Sequence, residues 1–296
     1  MTRSEVAFDR AGSAVVSALT ALIVRLDEAE RTAVLDEPDA VHQARILVRR
    51  QRSVLRTFRP LFDRDRVDEL RESLDELGDE LGDVRDIEVR VEHAERHLDE
   101  GTPREMQERL VDAERARYRA AHADLVTYLG VGGHGQRLVE FITEPPFSTR
   151  AGERAPEELA RLLHREYRRV RKAARDATDQ LESLHRLRRL ARRLRYACEA
   201  VTELPAVVFG DKVAEVASAA QRVQDVLGDH RDEVLFAEQV REAAEAAKAD
   251  GESVDAYDGV ADAAYADAAE RLEELPDALR TLRKRAKVLK KLSRRS

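Results

Sequence analysis

Residues 41–62 read Val-His-Gln-Ala-Arg-Ile-Leu-Val-Arg-Arg-Gln-Arg-Ser-Val-Leu-Arg-Thr-Phe-Arg-Pro-Leu-Phe. The stretch holds six arginines, one histidine and no acid, in a chain whose formal net charge is -7. His42, Arg45, Arg49, Arg52, Arg56 and Arg59 are spaced 3,4,3,4,3, which lines one face of an α-helix. Ala44, Leu47, Val48, Leu55, Phe58 and Phe62 fall on the opposite face. One side is therefore expected to pack and the other to form a continuous cationic stripe. Like charges at i,i+4 disfavour a helix by about 0.2–0.5 kcal/mol per pair, so the stripe costs roughly 1–2 kcal/mol until anions neutralise it.

The stretch occurs twice. At a shift of 143 residues, His42, Arg45, Arg49, Arg50 and Arg52 fall on His185, Arg188, Arg192, Arg193 and Arg195. Arg189 lies inside the second copy, whose apolar face is Leu184, Leu187, Leu190, Ala191, Leu194 and Cys198. Further on, Leu-Gly-Asp-Val-Arg-Asp at 81–86 matches Leu-Gly-Asp-His-Arg-Asp at 227–232, a shift of 146. Two motifs in the same order at nearly one offset point to an internal duplication.

Bulk composition agrees with long amphipathic helices. Charged residues make 38% and apolar residues 43%, Trp is absent, and there are only 13 glycines and 8 prolines among 296 residues. Period-two alternation is scarce, so the expected class is all-α, with each duplicated half reading as four helices and one more at the C-terminus. Residues 1–145 form the first half, 146–158 a linker rich in Pro and Gly, and 159–296 the second half with a basic C-terminal tail. Helices are expected over 3–35, 39–60, 65–98 (through Gly78 and Gly82, which mark a kink or a close helix contact), 103–129, 156–178, 179–203, 211–249, 256–275 and 276–292. The tail after 283 is expected to be solvated and frayed. No run approaches a membrane span, and the first ten residues lack an apolar leader core. Cys198 is the only cysteine, which rules out an intramolecular disulfide. A cytoplasmic chain without membrane contact is the expectation.

Charge is segregated along the sequence. Residues 161–195 hold thirteen Lys/Arg against four acids, and 237–275 hold twelve acids against three Lys/Arg. Arginine donates paired hydrogen bonds to phosphate and stays charged at ordinary pH. Arginines about one helical turn apart suit a chain of phosphates better than one phosphoryl group. A histidine at the head of each row can donate when protonated, and a nearby phosphate raises its pKa.

The paired His-x-x-Arg-x-x-x-Arg-Arg-x-Arg stretches at His42 and His185, with Leu-Gly-x-x-Arg-Asp at 81–86 and 227–232, resemble the CHAD family, the conserved histidine α-helical domain. The resemblance runs over about residues 6–247. It implies two pseudo-symmetric four-helix bundles around a basic central groove, binding of inorganic polyphosphate and association with polyphosphate granules. It also implies that His42, Arg45, Arg49, Arg52, His185, Arg188, Arg192 and Arg195 face the ligand. The polyphosphate-binding set expected here is these eight with Arg50, Arg56, Arg189 and Arg193. The Glu-x-Glu-x-Lys signature of the triphosphate-tunnel domain carried by some relatives is absent, so that domain's activity is not expected.

Other readings compete. The stripes can instead pair internally with Asp75, Asp79, Asp83 and Asp86, and with Asp225, Asp229 and Asp232. Arg85 and Arg231 are expected to pair with the adjacent Asp86 and Asp232. His42 or His185 could serve as the general acid of a hydrolase acting on phosphate chains or nucleoside phosphates. Yet no serine, cysteine or carboxylate nucleophile recurs beside both. A helical scaffold docking an acidic partner is the third reading, including a homo-oligomer in which the 237–275 segment of another copy fills the groove. Few aromatics make nucleic acid an unfavoured partner, and no phosphate-binding Gly-x-x-x-x-Gly-Lys loop or cofactor signature is present. His93 and His97 stand at i,i+4 with metal-ligand spacing, but without a third ligand in the sequence pattern they are expected on a solvated face, with no metal.

Overall fold

A computed structural model describes residues 8–294. Among them every regular element is helical: α1 (Ala11–Val34), α2 (Ala40–Phe58), α3 (Arg64–His97), α4 (Arg104–Gln107), α5 (Ala113–Val131), α6 (His134–Thr143), α7 (Ala155–Asp176), α8 (Leu181–Glu199), α9 (Asp211–Ala249), α10 (Asp255–Glu273), α11 (Leu275–Arg285) and α12 (Lys287–Leu292). No described helix is long and apolar enough to cross a membrane. The first described helix starts at Ala11, and residues 3–7 of the expected first helix lie outside those described. A π turn over Glu108–Asp112 joins α4 to α5, which carries the expected fourth helix on to Val131.

The all-α expectation holds because the periodic apolar faces are the ones buried. On α2, Ala44, Leu47, Val48, Leu55 and Phe58 are at most 4% exposed. On α8, Leu184, Leu187, Ala191, Leu194 and Cys198 are equally covered, whereas Leu190 is only half-buried. Packing follows chain order: α1 on α2, α2 on α3 and α5 on α3 in the first half; α7 on α8, α8 on α9 and α9 on α10 in the second. Helices α2 and α8 then meet each other. One apolar core runs through both halves, from Leu19, Leu55 and Phe58 to Leu163, Leu194 and Val223.

The residues between the halves are packed. The Ala11 amide donates to the Glu153 carbonyl at 3.0 Å and the Ala155 amide to Asp9 at 3.0 Å. Phe147 stacks on Phe62, with centroids 5.7 Å apart, and Ala151 is buried. The acidic 237–275 segment forms the end of α9 and all of α10. Their Ala-rich faces zip together around Phe236, Val240 and Tyr257 against Met106 and Leu110 of the first half. Its apolar surface is thus used inside the chain. The basic tail is also held: Leu282, Ala286 and Leu289 are buried, and Arg285 pairs with Glu215 at 2.8 Å.

Candidate functional site

Helices α2 and α8 turn their cationic faces toward one groove of about 700 Å³. From α2 it is lined by Arg45, Arg49, Arg52 and Arg56, and from α8 by His185, Arg188, Arg189, Arg192 and Arg193. Arg71 of α3, Arg169 and Lys172 of α7, and Arg186 and Arg231 complete the walls. Twelve arginines face a single acid, Asp79. A second cavity, of about 480 Å³, shares Arg45, Arg49, Arg188 and Arg231 and adds His42, Arg85 and His93.

Glycines on the facing helices let the guanidinium groups lie against backbone. A Cβ added at Gly228 would stand 2.9 Å from Arg188 Nη2, and one at Gly82 would stand 3.5 Å from Arg45 Nη2. A Cβ at Gly78 would come within 3.0 Å of Arg52 Nη1. The glycines of α3 and α9 therefore mark a close contact, and α3 continues unbroken through both of its own.

Acids of the facing helices hold part of the stripe. Arg45 donates to Asp86 at 2.6 Å, Arg52 pairs with Asp75, and Arg188 lies 4.0 Å from Asp232. Arg193 donates through Nε to the buried Glu166 at 2.7 Å. Arg49 and Arg192 differ. Among the described residues no carboxylate lies within ion-pair distance of either, nor of Arg56 or Arg189. Burial first, and then the charge of Arg49, pull the Arg192 guanidinium down to about 9. Burial lowers Arg49 as well, with Arg45 and Arg188 acting in the same direction against Tyr196. The centre of the groove thus gathers like charges that the chain leaves without a counterion.

The two histidines are drawn the same way. Burial, then Arg85, lowers the pKa of His42, whose Nδ1 is buried with no hydrogen-bond partner. Burial, then Arg231, Arg189 and Arg188, lowers His185. Both shifts favour the neutral imidazole, and an anion beside those arginines would act in the opposite direction.

Several expected positions are corrected. Arg50 lies outside both cavities, paired with Glu203 and 3.5 Å from Glu199. Arg195 also leaves the groove: its Nε donates to Glu199 at 2.7 Å and its guanidinium lies over Tyr196. In the first half Gly78 makes room for Arg52, while Gln224 stands at the matching place in the second. Arg85 pairs with Glu88 at 2.9 Å and Glu92 at 2.7 Å rather than with Asp86, which is taken by Arg45. His93 and His97 are not solvated. His93 is 7% exposed, and a third group, Glu233 of α9, lies beside both.

A family model described as the CHAD domain matches residues 17–241. The chain belongs to the CHAD family. An uncharacterized protein of Mycobacterium tuberculosis strain H37Rv is 34% identical over 271 residues, covering 86% of this chain and 50% of the relative. A second, from strain CDC 1551, matches to the same extent. The chain spans about half the length of these curated relatives. The crystal structure of the CHAD domain from the plant Ricinus communis superimposes with a TM-score of 0.72 at 21% identity, covering 96% of both chains. PptA from Streptomyces chartreusis gives 0.63 at 20% identity, covering 93% of this chain and 99% of its own. At those identities the likeness is one of fold.

Within this CHAD chain, the groove residues that sequence reasoning missed are Arg71, Arg169, Lys172 and Arg186. Three of them belong to the 161–195 stretch whose excess of base was visible. Arg71 sits in an acidic neighbourhood of α3 and gave no such signal.

Proposed function

We propose that this CHAD chain binds inorganic polyphosphate along the groove between α2 and α8. The observation that carries the reading is the Arg49–Arg192 centre: two half-buried guanidinium groups, one from each stripe, with no carboxylate within ion-pair distance among the described residues. Holding such charges costs several kcal/mol unless counter-charge arrives. A linear polyanion supplies it at every step of the groove, and charge-assisted hydrogen bonds add to the release of condensed counterions. The ligand-facing set is Arg45, Arg49, Arg52, Arg56, His185, Arg188, Arg189, Arg192 and Arg193, with His42 at the adjoining cavity. Arg50 is assigned instead to the α2–α8 contact and Arg195 to an ion pair within α8.

The groove is read as a binding surface rather than a catalytic one. Its one hydroxyl, on Ser53, already donates to the Arg49 carbonyl at 2.7 Å, and its acid Asp79 has no counterpart from α9 among the lining residues. Among the described residues no Phe, Tyr or Trp lines the larger cavity, which disfavours base stacking and so single-stranded nucleic acid. The presence of Gly82 against Arg45 and of Gly228 against Arg188 supports the internal duplication. Residence in the cytoplasm on polyphosphate granules belongs to the same proposal.

Calorimetric titration with orthophosphate, short oligophosphates and long-chain polyphosphate tests the reading. Affinity is expected to climb with chain length as successive arginines engage. Equal affinity for orthophosphate and long chains would overturn the extended-groove assignment.

A further inference from the structure

We propose that His93, His97 and Glu233 form a binding site for a divalent transition-metal ion of the zinc type, which ties α3 to α9. Each offers one donor atom, and the three donors lie within 4.8 Å of one another. His97 Nε2 is 2.9 Å from Glu233 Oε2, and His93 Nδ1 is 3.6 Å from Glu233 Oε1. Nitrogen and oxygen ligands at about 2.0–2.1 Å from a tetrahedral zinc stand about 3.3 Å apart, so these separations bracket the required ones.

A second observation points to a missing ligand. His93 Nδ1 is buried with no hydrogen-bond partner, in a residue 7% exposed. A buried imidazole nitrogen left without a partner costs free energy comparable to a lost hydrogen bond. A metal ion would satisfy it, and would take both carboxylate-facing imidazoles at once.

The surroundings suit such an ion. Two histidines at i,i+4 on one helix present their rings on a common face. Phe236 stacks on His97 with centroids 4.9 Å apart and lies tilted 5.8 Å from His93, forming an apolar wall. Ala94, Ala237 and Val240 close the same cluster. Two imidazoles and one carboxylate select a borderline ion over magnesium or calcium. Three protein ligands leave a fourth position for water or another oxygen ligand. His93 also lines the cavity that holds Arg45 and Arg49, which is the route to that position. Arg96, now 3.2 Å from Glu233, is the counterion the metal would replace.

The site stands apart from the polyphosphate reading and is tested without any polyanion present. The full chain, stripped with a chelator in phosphate-free buffer, is titrated with Co²⁺ and then Zn²⁺. Bound metal is counted after dialysis, and the thermal midpoint is followed. The expected result is one ion per chain, tetrahedral-type visible absorption from Co²⁺, and a midpoint that rises with Zn²⁺ concentration. Glu233→Gln and His97→Gln, shown to be folded by circular dichroism, should each lose the absorption and the shift, while His122→Gln keeps both. If a variant fails to fold, X-ray absorption of the zinc-loaded wild type must still show two imidazole ligands. Failure of the folded wild type to retain an ion, or an unchanged spectrum and stoichiometry in both variants, would overturn the proposal.

Discussion

Replacing Arg192 by methionine separates an anion receptor from an internally satisfied network. The guanidinium is pulled down to about 9 in the fold, first by burial and then by Arg49, so keeping it charged costs the folded state on the order of several kcal/mol. The sign is fixed: at pH 7, below the folded value, the group is charged in both states and the folded state bears the whole penalty; it fades only as pH rises past about 9. Methionine keeps much of the length and removes the charge. Apolar replacement of buried charges is worth about 1–4 kcal/mol in favourable cases, so Arg192→Met should stabilise the ligand-free chain by an amount in that range. The same change should weaken polyphosphate binding and make its salt dependence shallower by about 0.7 in the logarithmic slope, one phosphate contact. Urea unfolding in chloride buffer free of phosphate and sulfate reads the stability, because multivalent anions would fill the groove. A loss of about 3–5 kcal/mol would refute the reasoning, since that is the signature of a broken buried pair.

Further predictions follow from neighbouring residues. Polyphosphate affinity should rise as pH falls below neutrality, because burial and nearby arginines lower His42 and His185 in the free chain and the bound anion acts against this. His42→Gln/His185→Gln should flatten that profile in titrations at several pH values. Gly228→Ala should gain up to about 1 kcal/mol of helix stability yet weaken binding, because its Cβ would press Arg188 Nη2 at 2.9 Å; denaturation and titration then move in opposite directions. Glu166→Gln should cost about 2–4 kcal/mol in urea unfolding, since it strips Arg193 and Arg169 of a carboxylate that is 1% exposed.

The central helices were legible because both periodicities, apolar and cationic, sit within single helices. Val48 and Leu55 had to be buried if Arg49 and Arg52 were to share a face. What lay across helices was hidden. Arg50 and Arg193 occupy equivalent places in the repeat, yet Arg50 meets Glu203 and Arg193 meets Glu166, because the flanking helices differ. Glu233 stands 136 residues from His97, so the sequence spacing that revealed the histidine pair said nothing of its third member. The linker expectation over 146–158 rested on proline and glycine, which report backbone irregularity, whereas the buried Ala151 and the one ring face of Phe147 that stacks on Phe62 do the packing. The tail was read from its lysines and arginines, but Leu282 and Leu289, a helical face apart from those charges, hold it down.

The most direct test is titration of the full chain with long-chain polyphosphate across a range of salt concentrations, beside a folded Arg49→Glu/Arg192→Glu variant. About six neutralised phosphates predict that log K falls with log[salt] at a slope near -4, and that the variant loses binding while keeping its helicity. Binding indifferent to salt, or no binding by the folded wild-type chain, would contradict the account and leave the stripes as internal ion-pair networks.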